Sequence, residues 1–274
     1  MQDHRSGLLV GSACQIMVPQ MSNRHDRDRG KEPRLAVVIP MYNELAVAEN
    51  CIRRVLDVLP TVGTPTGLIA VDDGSSDGTG ELLECLRQKL GGFRVLRKLN
   101  GGYGSAISAG ARLAQKKGYN YVLFMDSDLT NPPEHIPRFV PPILQGFDLI
   151  KATRLSHGGD MSGVPWRRRI HSISGNVIAQ AMFRMDLADC TNGFRAIRVP
   201  LFLKMPLGEP GFAIILEELY WAKRWGMRVA AVPTSLSARS VALRPSAFDY
   251  RPGLIWRYLR HALRAGPLIY RPDH

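Results

Sequence analysis

The chain has 274 residues, 45% of them hydrophobic and 22% charged, which is typical of a globular protein with a sizeable buried core. Lys and Arg outnumber Asp and Glu by 36 to 24, and the net charge of +12 favours an anionic partner: a phosphorylated substrate, a nucleic acid or an acidic membrane. The four cysteines show no CxxC spacing, which excludes the common structural zinc motifs and favours a reducing compartment.

Residues 1–33 end in a charged run and are predicted to be a flexible basic tail, after which short apolar runs alternate with stretches of helical spacing. The strands predicted in the first half cover residues 35–39, 67–71, 93–97 and 121–125, and the helices cover residues 45–59, 82–90 and 106–115. This alternation predicts an α/β fold with a mostly parallel central sheet and helices on both faces. Ligands of such sheets bind beyond the carboxyl ends of the strands.

The second half is less regular. Its predicted elements are a strand at 147–152, an amphipathic stretch at 170–183, a helix at 214–225 and a strand at 228–233. Residues 251–274 are predicted to be a basic amphipathic segment with two stripes, one containing Leu254, Tyr258 and Ala262, the other Arg257, Arg260 and Arg264. Such a segment is typical of a membrane surface, although a helix packed on the domain explains the pattern equally well. No apolar run is long enough to cross a bilayer, so we expect a cytoplasmic protein, attached at most peripherally to the cytoplasmic membrane face.

Polar and acidic residues follow three of the predicted strands. They are "PMYNE" at 40–44, Asp72 and Asp73 at the start of "DDGSSDGT", and "DSDLTNPP" at 126–133. Each alone is explained as a turn or a helix cap. On one edge of one sheet, however, the carboxylates would repel one another unless a cation or a polar ligand lay between them. Asp126 and Asp128 suit a hard cation such as Mg²⁺ or Mn²⁺ that completes its shell with diphosphate oxygens.

The glycine-rich stretch "NGGYGSAISAG" at 100–110 does not match a dinucleotide-binding loop, because Ile107 stands at the third glycine position. Arginines are scattered through the second half, at Arg154, 166–169, Arg195, Arg239 and Arg244. They form either a solvated basic face or a set of bidentate phosphate ligands.

The motifs, in this order, resemble those of the family 2 inverting glycosyltransferases of GT-A fold, and among them the dolichyl- and polyprenyl-phosphate mannosyltransferases. "PMYNE" is similar to that family's PTYNE, "DDGSSDGT" to its nucleotide-binding signature, "DSDLTNPP" to DADLxHPP, and "DCTNGFR" at 189–195 to DxTSGFR. The likeness covers residues 34–250 and implies a GT-A catalytic domain there, with the segments 1–33 and 251–274 on either side.

The resemblance also implies roles for individual residues. The donor base and ribose would be held by Pro40, Tyr42, Glu44 and Asp73, and the metal ion and donor diphosphate by Asp126 and Asp128. Phosphates of donor or acceptor would contact Arg154, Arg168, Ser172 and Arg239, and the catalytic set would be Asp126, Asp128, Arg154 and Arg168. "GFAIILE" at 211–217 aligns with the family's GYxFQxE, which places Glu217 at the acid and Ile215 where the family has a glutamine associated with the metal.

The implied reaction is a metal-dependent inverting displacement, in which a polyprenyl phosphate attacks the anomeric carbon of a nucleotide sugar, with GDP-mannose as the expected donor. A phosphate monoester is already anionic near neutral pH, so no strong general base is required. Two alternatives stay open: the same chemistry with another nucleotide sugar or a soluble acceptor, and a noncatalytic nucleotide-binding or nucleic-acid-binding module. The sequence contains no recognition-helix motif, so we expect no nucleic-acid partner.

Overall fold

A computed structural model describes residues 32–154, 176, 179–181, 183–185, 187–236 and 252–265. Apart from its last two residues, the predicted tail of residues 1–33 lies outside these ranges. Most of the amphipathic stretch at 170–183 does too, although the residues described between 176 and 183 are helical. Within these ranges no helix is long and apolar enough to span a bilayer.

The described strands form a single seven-stranded sheet in the order β3-β2-β1-β4-β6-β5-β7. Their bounds are β1 Leu35–Met41, β2 Thr66–Asp72, β3 Phe93–Arg97, β4 Tyr121–Phe124, β5 Leu149–Thr153, β6 Arg195–Arg198 and β7 Val229–Pro233. Neighbouring strands are parallel except at β6, which runs antiparallel to both β4 and β5. The predicted mostly parallel sheet is therefore confirmed.

Helices connect and flank these strands. They are α1 Leu45–Val58, α2 Thr79–Leu90, α3 Tyr103–Lys116, α4 Val140–Leu144, α5 Val199–Lys204, α6 Ile214–Arg224 and α7 Pro252–Ala265. A single-turn 3₁₀ segment lies at Leu59–Thr61, and a longer 3₁₀ segment of seven residues lies at Pro133–Phe139. The predicted helices at 82–90 and 106–115 both begin three residues earlier than expected.

The alternation of side chains along β1 shows that both faces of the sheet are covered. Val37 and Ile39 belong to one core cluster with Cys51 of α1 and Leu83 of α2. Val38 points the other way, because a Cβ added at Gly110 of α3 would lie 2.4 Å from its Cγ1 atom. Successive residues of a strand face opposite sides of the sheet. The helices therefore lie on both faces, as the sequence predicts.

The antiparallel strand β6 positions the candidate site. Arg195 pairs with Phe124 in the β4–β6 register, so the residues just before β6 lie beside the residues just after β4. The loop 189–194 consequently joins the edge that carries Asp126 and Asp128. The sequence analysis predicts no strand here, because four residues with an arginine at each end carry no strand periodicity.

Candidate active site

The loops after β1 and β2 are joined by hydrogen bonds. The N–H of Asn43 donates to Ser75 Oγ (2.9 Å), and the N–H of Ser76 donates to Asn43 Oδ1 (2.8 Å). The N–H of Glu44 donates to the hydroxyl of Thr79 (2.9 Å). Part of "DDGSSDGT" is therefore structural, since its hydroxyl groups hold the "PMYNE" loop in place.

Asp77 completes this arrangement at the start of α2. Its carboxylate accepts the N–H of Leu45 (3.1 Å) and both the N–H (3.0 Å) and the hydroxyl (2.6 Å) of Thr79. Partial burial by itself raises the pKa of Asp77, but these hydrogen bonds outweigh it and hold the pKa below its ordinary value. The loops thus carry a fixed negative charge next to a helix N-terminus, where such a charge is favourable.

The adjacent carboxylates of Asp72 and Asp73 have different partners. Asp72 is buried, accepts the N–H of Ser75 (3.0 Å) and lies 3.4 Å from Arg97 Nε. Asp73 accepts the N–H groups of Gly101 (3.1 Å) and Gly102 (2.8 Å) and pairs with Lys98. Asp73 therefore fixes the loop between β3 and α3 on the edge of the sheet.

The other residues predicted for the donor are more open. Tyr42 is 44% exposed, whereas Pro40 and Glu44 are half-buried. Pro40 lies near the carboxyl end of β1, and Tyr42 and Glu44 lie on the following loop, which the hydroxyls of Ser75 and Thr79 hold. The structure thus brings these residues and Asp73 to the same edge of the sheet.

Asp126 and Asp128 follow β4, the strand on the other side of β1. Both are half-buried, while Ser127 between them is buried. Asp128 Oδ1 accepts the N–H of Thr130 (3.0 Å), and Leu129 has a φ of +55°, so the backbone turns tightly here. The two acids lie on the more open side of this turn.

Gly193 leaves space beside Asp126. A Cβ placed on Gly193 would lie 3.4 Å from Asp126 Oδ2, 3.7 Å from Ile215 Cδ1 and 3.8 Å from the Tyr103 hydroxyl oxygen. Any longer side chain would enter the gap that these three groups border. Neither Gly193 of "DCTNGFR" nor Tyr103 is among the site residues predicted from the sequence.

The parallel pairing of β1 with β2 and β4 places the acids that follow these strands at one edge of the sheet. Burial in α1 raises the pKa of the Cys51 thiol to about 12, and the carboxylates of Asp128, Glu44 and Asp126 contribute to the increase. Burial also raises the pKa of Tyr103, and the charge of Asp126 adds to this effect. The loops after β1 and β4 thus both carry negative charge that acts on the same buried thiol.

Two buried cations support the loop 189–194 from below. Lys151 Nζ donates to the carbonyl of Asn192 (2.9 Å), and Arg195 Nη1 donates to the carbonyl of Gly193 (2.7 Å). Burial, together with the charge of Arg195, lowers the pKa of Lys151 to about 8. Burial also disfavours the charge of Arg195, but the carboxylate of Glu218, 2.5 Å away, reverses this effect and raises its pKa. Arg195 is thus fully engaged inside the protein and is not a phosphate ligand.

Arg154 forms a forked ion pair with Asp189. Its Nε and Nη2 atoms lie 2.5 and 2.9 Å from the two carboxylate oxygens, and Asn176 Nδ2 donates to the same carboxylate (3.1 Å). Burial alone raises the pKa of Asp189, but Arg154 outweighs it, so the pKa falls below its ordinary value. Arg154 is therefore held at the end of β5 by the loop that precedes β6.

Glu217 also binds the protein's own backbone. Its carboxylate accepts the N–H groups of Gly208 (3.0 Å) and Glu209 (2.9 Å), so it organises the segment before α6. The remaining predicted residues, Arg168, Ser172 and Arg239, lie outside the described part of the chain.

Within the described ranges, no three His, Cys, Asp or Glu side chains are grouped so that they could hold a metal ion. Asp126 and Asp128 offer at most two protein carboxylates. Ile215, whose Cδ1 atom borders the gap beside Asp126, stands where the motif GYxFQxE has a glutamine, and its side chain offers no oxygen ligand. A hard divalent cation accepts this donor set if phosphate oxygens and water complete its shell.

Comparison with known proteins places this geometry in a family. Residues 36–205, more than half of the chain, match the sequence profile described as glycosyl transferase family 2. The chain belongs to this family. A similar relative is the undecaprenyl-phosphate mannosyltransferase of Micrococcus luteus, 29% identical over 76% of this chain and 85% of that protein. Another is the polyprenol monophosphomannose synthase of Mycolicibacterium smegmatis, 29% identical over 77% of this chain and 80% of that protein.

Solved structures agree on the fold of this family 2 glycosyltransferase. Glucosyl-3-phosphoglycerate synthase from Mycobacterium tuberculosis, solved with Mg²⁺ and UDP, has a TM-score of 0.62 over 91% of this chain and 83% of its own, at 23% identity. A second structure, with Mn²⁺, UDP-glucose and phosphoglyceric acid, gives the same TM-score over 91% of this chain and 84% of its own, at 23% identity. The GT-A fold expected from the sequence is confirmed.

Proposed function

We propose that this chain transfers mannose from GDP-mannose to a polyprenyl phosphate, with inversion at the anomeric carbon. The observation that carries the proposal is the order of the sheet: β2 and β4 pair in parallel with β1 on its two sides, so Glu44, Asp73, Asp126 and Asp128 follow strand ends that lie side by side at one edge. Carboxylates tolerate such proximity when a cation and polar ligand groups lie between them. The lipid-phosphate mannosyltransferases among the relatives support this choice of donor sugar and acceptor.

The donor nucleotide lies along the β1 and β2 ends in this proposal. Pro40, Tyr42, Glu44 and Asp73 hold its base and ribose, an assignment that the family motifs suggest and that is supported by the common place of these residues at this edge. Asp73 has few lone pairs to spare after accepting the N–H groups of Gly101 and Gly102 and pairing with Lys98, so it accepts few further hydrogen bonds from the nucleotide.

Asp126 and Asp128 would hold a Mg²⁺ or Mn²⁺ ion and, through it, the donor diphosphate. Gly193 supports this assignment, because it has no side chain to cover Asp126 Oδ2, from which its Cβ would lie 3.4 Å away. The ion would supply neutralisation of the negative charge that develops on the departing diphosphate. The structural neighbours crystallised with Mg²⁺ or Mn²⁺ and a uridine nucleotide bind their own ligands on the same fold.

The reaction is a single displacement. An oxygen of the acceptor phosphate forms a bond to the anomeric carbon, the bond from that carbon to the donor diphosphate breaks, and nucleoside diphosphate leaves with the electron pair. This chain's residues align the two substrates and stabilise the leaving charge, which are the two effects expected to lower the barrier. Arg154, Arg168, Ser172 and Arg239 contact the phosphates; Arg154 keeps a fixed place for this role through Asp189.

The test is the variant Asp128→Asn, which keeps the size of the side chain and removes its charge. Transfer of labelled mannose from GDP-mannose to dolichyl phosphate in Mn²⁺ should fall about 100-fold or more, because charge neutralisation contributes several kcal/mol. Asp57→Asn, at an exposed position on α1, is the matched control and should leave transfer unchanged. Near-normal turnover by Asp128→Asn would contradict the assignment.

A soluble phosphorylated acceptor is the second candidate. It is favoured by the structural neighbour that was crystallised with phosphoglyceric acid. A panel of acceptors, with and without polyprenyl phosphate, separates the two: transfer only to small phosphorylated acceptors would replace the lipid assignment and leave the chemistry at the anomeric carbon intact.

A further inference from the structure

The segment Gly208–Phe212, which we call the bridging segment, lies against the start of α3. The carbonyl of Pro210 accepts the N–H of Gly104 (2.8 Å). A Cβ added to Gly104 would lie 2.2 Å from the Glu209 carbonyl oxygen, and one added to Gly102 would lie 2.7 Å from that of Pro210. The backbones therefore touch, and only glycine permits this approach. The rings of Phe212 and Tyr103 pack beside this contact with their centroids 4.5 Å apart.

The side chain of Glu209 points to a different element, the C-terminal helix α7. It is 4% exposed, and its Oε1 lies 2.5 Å from Arg260 Nη2 and 2.9 Å from His261 Nε2. His261 is buried, and within the described ranges its Nδ1 atom has no hydrogen-bond partner. Glu209 therefore supplies the polar contact that the structure gives this ring, and it ties α7 to the bridging segment.

These contacts form a continuous path from α7 to the donor side of the candidate site. Arg260 and His261 hold the Glu209 carboxylate, and the carbonyls of Glu209 and Pro210 abut Gly102 and Gly104. The N–H groups of Gly101 and Gly102 in turn bind Asp73. A shift of the bridging segment would move the groups that orient Asp73, because packed backbone has no free volume to absorb it.

We infer that Glu209 is a positioning residue for the donor nucleotide, acting through the bridging segment on the Gly101–Gly102 turn and Asp73. The inference rests on the proposed function, which puts the nucleotide at Asp73. Removing the carboxylate leaves buried His261 without its partner and releases the bridging segment from α7. Such loss of one partner in a buried polar pair is costly, so the segment will rearrange.

The experiment measures binding of GDP in the presence of Mn²⁺ to the full chain by calorimetry. Glu209→Gln keeps the shape and one acceptor, and should raise Kd about three- to tenfold, while Glu209→Ala should raise it further. Glu49→Gln removes a surface carboxylate that pairs with Arg53, and should stay within about twofold of the parent chain. Steady-state kinetics should show a raised KM for GDP-mannose with the KM for the acceptor unchanged, a split that general loss of structure would not produce.

The outcomes separate the two claims. If the parent chain binds GDP and both Glu209 variants bind it equally well, the Glu209 inference is overturned and the proposed function stands. An equal rise in both KM values also overturns it. If the parent chain does not bind GDP, the proposed function fails and takes the inference with it. Should Glu209→Ala fail to fold, Glu209→Gln decides alone.

Discussion

Lys151 and Arg195 place two positive charges under consecutive carbonyl groups of the loop that faces Asp126. Both side chains are almost completely buried, at 1% and 0% exposure. Arg195 has the carboxylate of Glu218 as a close partner, whereas no acidic residue in the described part of the chain forms an ion pair with Lys151, and burial lowers its pKa to about 8. The charge of Lys151 therefore costs folding free energy at neutral pH.

This cost should depend on pH. The unfolded chain binds the Lys151 proton up to its ordinary pKa of 10.5, while the folded chain loses it above about 8. Folding stability contributed by this group therefore rises with pH between these values. Relative to Lys151→Met, the free energy of unfolding of the parent chain should gain about 2 kcal/mol from pH 7.5 to 9.5, measured by urea denaturation.

Lys89→Met, at an exposed position on α2, is the control, and its difference from the parent chain should not change over the same range. A Lys151→Met difference that stays constant with pH would mean that Lys151 keeps its proton throughout, and that burial does not govern its titration.

Asp72 and Asp73 illustrate the limit of sequence reasoning at this scale. The sequence places both at the end of a strand, and the resemblance separates their roles by assigning only Asp73 to the nucleotide. Which partners each carboxylate takes depends on Arg97, Lys98 and Gly101, which belong to the neighbouring strand and loop. Contacts of this kind are set by strand register, and register is not visible in one sequence.

At the scale of elements, the start of α3 is shaped by the bridging segment. Backbone packing explains two of the three glycines of "NGGYG", Gly102 and Gly104, since the Pro210 and Glu209 carbonyls occupy the place of a side chain there. From the sequence, this stretch is not a dinucleotide loop and the helix is predicted to begin at residue 106. The structure begins α3 at Tyr103 instead. The earlier start is not predictable locally, because glycines weaken a helical pattern and the packing partner lies about a hundred residues further along the chain.

Gly104→Ala tests this packing. Alanine favours a helix over glycine by about 1 kcal/mol, so a helix without the contact would be stabilised. The clash at 2.2 Å with backbone outweighs this gain, and the variant should lose about 3 kcal/mol of unfolding free energy.

Gly211→Ala, where an added Cβ meets nothing within 4 Å, is the control and should change stability by less than about 0.5 kcal/mol. Denaturant unfolding of the two variants gives the comparison. If Gly104→Ala were as stable as Gly211→Ala, the bridging segment would have to move away from the added Cβ at little cost in free energy.

Strand β6 shows why the second half of the fold is harder to predict than the first. β1 to β4 alternate with helices, and β1, β2 and β4 are apolar on both faces, a pattern that the sequence makes visible. β6 has four residues, begins with Arg195 and ends with Arg198, and is stabilised by the pairing of Arg195 with Glu218 of α6. That stabilisation is a tertiary contact, so no local sequence pattern predicts the strand.

At the scale of the whole molecule, the outer face of α7 combines positively charged and apolar side chains. Trp256 and Leu263 of α7 are 60% and 52% exposed, and seven residues place them on the same side of a helix. Arg257 and Arg264 are spaced in the same way and are exposed, and α7 contains no acidic residue. We propose that this outer face of α7 contacts an anionic membrane surface.

Vesicle binding tests this proposal. Trp256→Ser and Leu263→Ser should each weaken binding to phosphatidylglycerol vesicles about three- to tenfold, measured by sedimentation, because each removes apolar area from the contact. Leu144→Ser, at a 63% exposed position on α4, is the control and should bind like the parent chain. If all three variants bound vesicles as well as the parent chain does, the proposal that α7 contacts the membrane would be wrong.

The attachment of α7 to the bridging segment also bears on the order in which the enzyme matures during synthesis. Asp73 and its strand leave the ribosome well before Arg260 and His261, which hold Glu209. A nascent chain that still lacks α7 has its sheet and its acids without the contacts that hold the bridging segment. Competence to bind a donor should therefore arrive only after α7 has emerged from the ribosome.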